Sequence, residues 1–277
     1  MTASLLSGLS LPALSPWFSR GLQGWAGLCA ICGRWQSLAV CQDCQRCWRT
    51  DLPRCLRCAL PWPDAVRASD CPACEARQPE FDRAITALDY LPPWSSLISR
   101  FKFQRACGLQ RPFVEMMAEA VRQRPHRVDL ILPVPLSSAR LAERGYNQAW
   151  LLARGLGSAL HRPATDAALL RTRSTPRLMS LDSEERLRAI HGAFQVNPAW
   201  AKRLRGRHVA LVDDVLTTGA TLDELSRLLR RHGVAGVSAW VLARTPPPDP
   251  LLKPTGPPPD TWPGCADRSM AGGRDCA

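Results

Sequence analysis

The sequence contains no long hydrophobic run. No stretch of its 277 residues approaches the roughly 20 apolar residues that a membrane-spanning helix needs, so we expect no membrane insertion. The segment before Gly27 also lacks the basic start and the continuous apolar centre of a secretory signal peptide. Together these absences predict a cytoplasmic protein.

Lysine is also scarce, with three residues among the 36 lysines and arginines, yet the chain is strongly basic. Its formal net charge is +12, and residues 81–245 hold most of the excess, with 25 basic and 14 acidic side chains. A positive balance of this kind favours phosphate-bearing partners. We therefore expect either a nucleotide-like ligand or nucleic acid.

Cysteine, by contrast, is concentrated in one short segment. Nine of the twelve cysteines fall within residues 29–74, and eight of them form four Cys-x-x-Cys pairs. Two such pairs complete a closed tetrahedral zinc site, so we predict two structural zinc ions, or one if only a single site is occupied. The predicted ligands are Cys29, Cys32, Cys41, Cys44, Cys55, Cys58, Cys71 and Cys74.

The sequence leaves the pairing of these motifs open. Sequential pairing along the chain is the simplest arrangement, and interleaved pairing is the alternative. A disulfide framework would require an oxidising compartment, which no feature of the sequence signals. Because the segment has little apolar core of its own, metal binding would supply most of its folding energy.

Three tryptophans of the same segment, Trp35, Trp48 and Trp62, stand among five arginines. Aromatic side chains among arginines can stack the bases of a single strand, or they can pack against the zinc ribbons and the next domain. We favour packing, because residues 1–80 carry a net charge of only +2.

A second distinctive stretch runs from His208 to Leu222. Four apolar residues, 209–212, predict a short buried strand. Asp213 and Asp214 follow it, and residues 217–221, all small, lead into an apolar helical repeat that Gly233 ends. A strand, a small-residue loop and a helix N-terminus form a cradle for phosphate. The two carboxylates can accept hydrogen bonds from the vicinal hydroxyls of a ribose whose 5′-phosphate sits on the loop.

This stretch resembles the phosphoribosyl-diphosphate (PRPP) binding motif of the type I phosphoribosyltransferases. The resemblance implies an α/β fold with a central, mostly parallel sheet flanked by helices, and Mg²⁺ bound with PRPP. It gives Asp213 and Asp214 a catalytic role beside the ribose. The residues implied to bind PRPP here are Thr217, Thr218, Gly219, Ala220 and Thr221. The alternative is a Rossmann-like turn in which the two acids only cap structure.

A further motif narrows the family. Residues 128–132 predict a strand, and in type I phosphoribosyltransferases the loop after this strand holds pyrophosphate; here it carries Ser137, Arg140 and Arg144. The chain resembles the competence-associated ComF family and its GntX-type relatives in three motifs: Lys102-Phe103, Pro133-Val-Pro-Leu and Arg144-Gly-Tyr-Asn-Gln. That family joins a multi-cysteine zinc module to a PRPP-binding domain. Membership implies a role with internalised single-stranded DNA and with the DNA-uptake machinery.

The segment expected to form a mobile lid departs from the family at two positions. Leu178 and Ala189 stand where the family usually has Gln and Asn, which would weaken closure over a ligand. Five lid arginines are retained, and they either neutralise pyrophosphate or a nucleic-acid backbone or form only a solvated surface: Arg171, Arg173, Arg177, Arg186 and Arg188. We favour a PRPP-dependent transferase, because the acid pair and the cradle are intact. The alternative is a zinc-bearing adaptor for single-stranded DNA or a protein partner that uses the site only to sense a nucleotide.

These observations predict four regions: a poorly ordered lead-in (1–27), a double zinc ribbon (28–80), a phosphoribosyltransferase-like domain (81–245) and a Pro-rich disordered tail (246–277). Within the third region the patterns predict strands over 84–90, 193–196 and 237–243, and helices over 94–103, 112–122 and 147–160.

Overall fold

The computed structural model describes residues 27–49, 52–62, 70–173 and 190–246. The predictions made for the lead-in, for the tail beyond residue 246 and for lid positions 174–189 fall outside these ranges. Across the ranges that are described, no helix is both long enough and apolar enough to cross a membrane.

The cysteine-rich segment is built from four short elements. Strands β1 (Gly27–Leu28) and β2 (Trp35–Gln36) pair antiparallel, and helices α1 (Gln42–Cys47) and α2 (Pro72–Ala76) follow. Each helix begins directly after a cysteine, because Cys41 and Cys71 occupy the N-cap positions. In this way the start of each helix brings two cysteines of one Cys-x-x-Cys pair together.

From residue 83 onward the chain alternates strands and helices, as predicted. The first half comprises β3 (Arg83–Asp89), α3 (Trp94–Phe103), α4 (Gln110–Arg122), β4 (Leu130–Pro133), α5 (Ser138–Arg144) and α6 (Gln148–Leu160). The second half comprises β5 (Leu169–Arg171), β6 (Phe194–Val196), α7 (Pro198–Leu204), β7 (His208–Leu216), α8 (Ala220–Arg231) and β8 (Gly236–Arg244).

Four strands form a parallel sheet in the order β3-β8-β7-β4. Strand β8 is buried along its whole length and β7 along most of it, which is typical of parallel strands with helices on both faces. Strands β5 and β6 form a separate antiparallel pair. The carboxyl ends of the parallel strands meet at one edge of the sheet, where ligands bind in open α/β sheets.

Strand β7 is longer than the sequence predicted. The expected strand ended at Val212 with both aspartates beyond it, but β7 continues to Leu216. The reason is its neighbour: β8 extends to Arg244, and its register pairs Asp213 with Val241 and Leu216 with Arg244. The two aspartates therefore belong to the strand, and their side chains leave it on alternate faces.

The sheet has a core on each face. One core contains Ala210 and Val212 of β7 together with residues of α3, α4 and α6, and Cys29, Cys41 and Cys44 join it. The other contains Val209 and Leu211 together with residues of α8 and the β5–β6 pair. The first part of the cysteine-rich segment is thus packed against the domain rather than tethered to it.

A buried ion pair docks the second part of the cysteine-rich segment on β3. Both terminal nitrogens of Arg54 donate to the two carboxylate oxygens of Asp89, each at 2.9 Å, and the side chains are 5% and 4% exposed. Arg54 also donates to the carbonyl of Ala59 at 3.2 Å. Beside this pair, the N–H of Ala84 donates to the carbonyl of Leu56 at 3.1 Å.

We predict that Asp89→Asn lowers the free energy of unfolding by about 3–5 kcal/mol, because it leaves the Arg54 guanidinium buried without its counter-charge. The exposed pair Arg111–Glu115 is the control, and Glu115→Gln should cost no more than about 0.5 kcal/mol. Urea denaturation of both variants measures the difference. Equal losses would contradict a docking role for the buried pair.

Candidate ligand-binding site and metal centres

The eight paired cysteines form two groups of four. Cys29, Cys32, Cys41 and Cys44 make the first centre, and Cys55, Cys58, Cys71 and Cys74 make the second. In each centre the four sulfur atoms lie within 4.8 Å of one another. The geometry therefore favours sequential pairing of the motifs over interleaved pairing.

The sulfur spacing fits a tetrahedral metal ion. The measured separations are 3.7 Å for Cys32–Cys41, 3.5 Å for Cys58–Cys71 and 3.9 Å for Cys55–Cys74. Four sulfurs at about 2.3 Å from one zinc ion would lie about 3.8 Å apart. All eight are free thiols. Two Cys₄ groups compatible with structural zinc are thus in place.

The thiols of the second centre lie close enough to shift one another's pKa values. Hydrogen bonds from Cys58 and Cys74 hold the pKa of the Cys55 thiol well below its usual range. The same contact with Cys55 raises the pKa of Cys58 to about 12 and raises that of Cys74 strongly. Four thiols this close together cannot all ionise without a counter-charge, which a divalent cation would supply.

A cavity of about 590 Å³ opens at the carboxyl edge of the parallel sheet. All five residues of the 217–221 loop line it, together with Asp213, Tyr90 and Arg244. Leu60 and Ala73 reach the same cavity from the cysteine-rich segment. One space is therefore bounded by the loop, by the sheet edge and by the cysteine-rich segment.

The 217–221 loop presents free amide groups to this cavity. Gly219 has φ +87° and directly precedes α8; a glycine adopts such a φ without strain. The first backbone bond of the helix runs from the N–H of Asp223 to the carbonyl of Gly219. In the described part of the chain, the N–H groups of residues 217–219 have no acceptor. Unpaired amides and the positive end of the α8 dipole meet here.

The two aspartates of β7 have different surroundings. Asp214 is 4% exposed, and its Oδ1 atom lies 2.9 Å from Nζ of Lys102 in α3. Its Oδ2 atom is buried and has no partner among the described residues. Asp213 is half-buried and accepts the backbone N–H of Asp214 at 2.8 Å. The adjacent carboxylates are therefore one ion-paired group and one cavity-lining group.

The pKa values of Asp213 and Lys102 are both raised, for different reasons. Burial and the charge of Asp214 raise the pKa of Asp213 to about 7, while Lys102 and Arg144 oppose the shift. Burial alone would lower the pKa of Lys102, but the carboxylates of Asp214 and Asp213 raise it above its ordinary value. Lys102 is thus held in its charged form beside the acid pair.

The residues predicted to hold pyrophosphate lie at the neighbouring strand end, after β4. Ser137 caps α5 and accepts the N–H of Arg140 at 3.4 Å. The Arg144 guanidinium stacks 4.8 Å from the ring centre of Phe103, and its Nε atom is buried without a partner among the described residues. These three residues do not line the 590 Å³ cavity. Arg140 acts electrostatically on Arg171, whose pKa is lowered to about 10 by burial and by this like charge.

Two of the three tryptophans of the cysteine-rich segment pack against the protein, and the third is exposed. Trp48 packs against the first core, and its carbonyl accepts a hydrogen bond from the indole of Trp94 at 2.6 Å. Trp62 packs against the second centre. Trp35, however, is 74% exposed. Packing therefore accounts for two of the three and leaves Trp35 at the surface.

Comparison with known proteins agrees with this arrangement. The family model "Phosphoribosyl transferase domain" matches residues 180–252, which contain the β7–α8 site. The chain is 36% identical over 231 residues to the DNA utilization protein YhgH of Escherichia coli K12, covering 79% of this chain and 97% of that protein. It is 36% identical over 210 residues to Competence protein F of Haemophilus influenzae, covering 74% and 90%. It is also 30% identical over 221 residues to Competence protein ComFC of Bacillus subtilis, covering 79% and 78%.

The chain belongs to the ComF family. The predicted resemblance is confirmed, and the fold is a phosphoribosyltransferase-type domain joined to a module with two Cys₄ groups. Among solved structures, a hypoxanthine phosphoribosyltransferase of Staphylococcus aureus is 14% identical with a TM-score of 0.30, covering 49% of this ComF chain and 62% of that enzyme.

Sequence reasoning missed two residues of this ComF site. Lys102 could have been noticed, because it belongs to the Lys102-Phe103 motif. Its pairing with Asp214 could not be predicted, because it depends on α3 packing beside the end of β7. No sequence pattern indicated a role for Arg244, because an arginine at the end of a strand is common. The structure places its guanidinium under the 217–221 loop.

We predict that the purified protein contains about two equivalents of zinc, as two Cys₄ groups require. Cys44→Ser and Cys58→Ser should each lose about one equivalent, because each removes a ligand from a different centre. Cys47→Ser is the control, since this cysteine lies in the same segment but in neither group. Elemental analysis gives the answer, and less than half an equivalent in the parent protein would contradict the assignment.

Proposed function

We propose that this protein is a PRPP-dependent phosphoribosyltransferase whose 217–221 loop binds the 5′-phosphate of PRPP. The observation that carries the proposal is the set of unpaired loop amides at the start of α8, facing a cavity that also contains Asp213. Backbone N–H groups at a helix N-terminus bind phosphate without any basic side chain.

The acid pair supports the ribose end of this proposal. With the 5′-phosphate on the loop, the cavity-lining carboxylate of Asp213 is placed to accept hydrogen bonds from ribose hydroxyls. Asp214, which pairs with Lys102 on the opposite face of β7, would add its charge at the same end of the strand. Negative charge here also stabilises the positive charge that develops on the ribose ring as the C1–O bond breaks.

The departing diphosphate needs positive charge, and arginines at the adjacent strand end supply it. Ser137, Arg140 and Arg144 follow β4, whose carboxyl end lies beside that of β7. The C1–O electron pair leaves with the diphosphate while an acceptor nucleophile bonds to C1. Mg²⁺ bound with PRPP would neutralise part of the diphosphate charge, and the carboxylate oxygens of Asp213 are donors that this ion accepts.

The family relationship supports a cellular context for this activity. Relatives of known name are a DNA utilization protein and competence proteins. On that basis the transferase would act on, or together with, internalised single-stranded DNA in natural transformation, in the cytoplasm and with proteins of DNA uptake. The net charge of +12 is compatible with a nucleic-acid partner.

A second function, binding of single-stranded DNA by the cysteine-rich module, is favoured by one observation. Trp35 is 74% exposed, and the preceding Arg34, which pairs with Asp43, is 52% exposed. An exposed indole next to a guanidinium group provides a stacking surface for bases. In this case the module would be an adaptor whether or not the transferase site turns over.

The loop is tested with Gly219→Ala. An added Cβ at Gly219 would meet no atom closer than 3.6 Å, so its effect comes from the positive φ and not from crowding. A side chain in that conformation costs about 1–2 kcal/mol, and the loop would relax and displace its amides. We expect the affinity for PRPP with MgCl₂, and for ribose 5-phosphate, to fall about tenfold in calorimetric titrations.

Gly206→Ala is the matched control for this test. Gly206 also has a positive φ, +68°, with nothing within 4 Å of an added Cβ, but it precedes β7 at the opposite end of the strand. Both variants should lose similar stability, and only Gly219→Ala should lose affinity. Equal PRPP binding by the parent and Gly219→Ala would refute the phosphate site. Release of pyrophosphate from PRPP by the parent tests turnover separately.

The adaptor function is tested with Trp35→Ala. Loss of one stacking platform costs about 1–3 kcal/mol per base, so we expect the affinity for oligo-dT to fall roughly tenfold at low salt. Leu56→Ala, which removes an exposed apolar side chain from the same module, should leave it unchanged. Fluorescence anisotropy measures both. An unchanged affinity in Trp35→Ala would exclude this surface.

A further inference from the structure

Arg244 joins the second cysteine centre to the loop before α8. It is the last residue of β8 and is 8% exposed. Its guanidinium donates to the carbonyl of Cys58 at 3.0 Å, to that of Leu216 at 2.8 Å and to that of Thr217 at 2.5 Å. A fourth bond reaches the carbonyl of Thr245 at 3.1 Å. One side chain thus holds a metal-ligand residue and the start of the loop.

These bonds determine where the loop amides point. In a planar trans peptide the carbonyl and the following N–H point in opposite directions. Arg244 holds the carbonyls of Leu216 and Thr217, so the N–H groups of Thr217 and Thr218 are directed away from it. They are two of the amides without an acceptor in the described part of the chain. Arg244 therefore positions the donors that an anion would contact.

The charge of Arg244 suits its position beside the second cysteine centre. A zinc ion with four thiolates carries two net negative charges, which favours a buried cation beside it. A smaller cavity of about 140 Å³ separates centre and loop, and Cys58, Cys74, Gly219 and Arg244 line it.

Among the residues that the structure describes, the first centre has no such connection. Cys29, Cys41 and Cys44 belong to the core on the α3–α4 side of the sheet, whereas Leu216, Ala220 and Leu222 belong to the core on the other side. The chain therefore contains two similar centres, only one of which is bonded to the loop in the described residues. The effect of the second centre on the loop can therefore be tested separately from the need of the whole protein for zinc.

From these contacts we infer that the second cysteine centre is part of the anion site, with Arg244 as the positioning residue that couples them. Metal in the centre orders the 217–221 loop, and an anion on the loop in turn retains the metal, since coupling between two sites is reciprocal. The ligand half of this inference rests on the proposed phosphate site, whereas the ordering of the loop by the metal does not.

The experiment uses the Cys44→Ser protein, whose remaining zinc is at the second centre. Hydrogen exchange is followed at the amides of Asp223 and Thr245, which donate to the loop-end carbonyls of Gly219 and Leu216, before and after a chelator removes that ion. We expect exchange of these amides to rise at least about tenfold, while helix α6 stays protected. Arg244→Gln should show the fast loop exchange with zinc still bound, and Arg227→Gln, an arginine of α8 paired with Glu80 and Glu224, should not.

Ribose 5-phosphate provides the second readout. It should slow zinc release from the Cys44→Ser protein about tenfold. It should not slow zinc release when Arg244→Gln is added. With Arg244→Lys, which keeps the charge but not the planar set of donors, the slowing should be intermediate. Loop exchange that is insensitive both to zinc removal and to Arg244→Gln overturns the inference. If exchange responds as expected but the parent binds neither ribose 5-phosphate nor PRPP, the proposed function fails and the coupling stands.

Discussion

At the ends of β7 and β8, where Arg244 meets Cys58 of the cysteine-rich segment, backbone carbonyls need hydrogen-bond donors. Arg244 supplies donors to those of Leu216, Thr217 and Thr245, and its remaining bond reaches Cys58. One guanidinium therefore bonds both the cysteine-rich segment and the start of the 217–221 loop. The residue that docks the segment is also the residue that shapes the loop. The Arg54–Asp89 pair fixes the same segment on β3.

Asp213 and Asp214 differ in a way that their sequence motif does not show. Asp213 and Asp214 are adjacent in sequence, but a strand sends them to opposite faces. One meets the Lys102 ammonium and is balanced by it. The other lines the cavity, and burial beside the charge of Asp214 raises its pKa to about 7. Two identical residues therefore differ in their surroundings: one is ion-paired, and the other lines the cavity with a raised pKa.

Much of this architecture could be predicted from the sequence because its signals are local. The Cys-x-x-Cys spacing, the apolar β7 run and the small residues before α8 each fall within a few positions, and the structure agrees with all three. The errors and omissions concern long-range contacts. The length of β7 depends on β8, and the partner of Asp214 is more than a hundred residues away. The exposure of Trp35 depends on packing that no local pattern encodes.

The two cysteine centres have the same ligand set but different surroundings, and this difference constrains their roles. The first is inserted in the core on the α3–α4 side, where it replaces apolar packing that a short segment cannot provide. The second has few apolar neighbours, Leu60 and Trp62 among them, and its polar contacts lead to β3 and to the loop. A centre that served only to fold its own segment would have no need of these contacts. The cysteine-rich segment also forms one wall of the 590 Å³ cavity, through Leu60 and Ala73, so the module and the domain bound the same space.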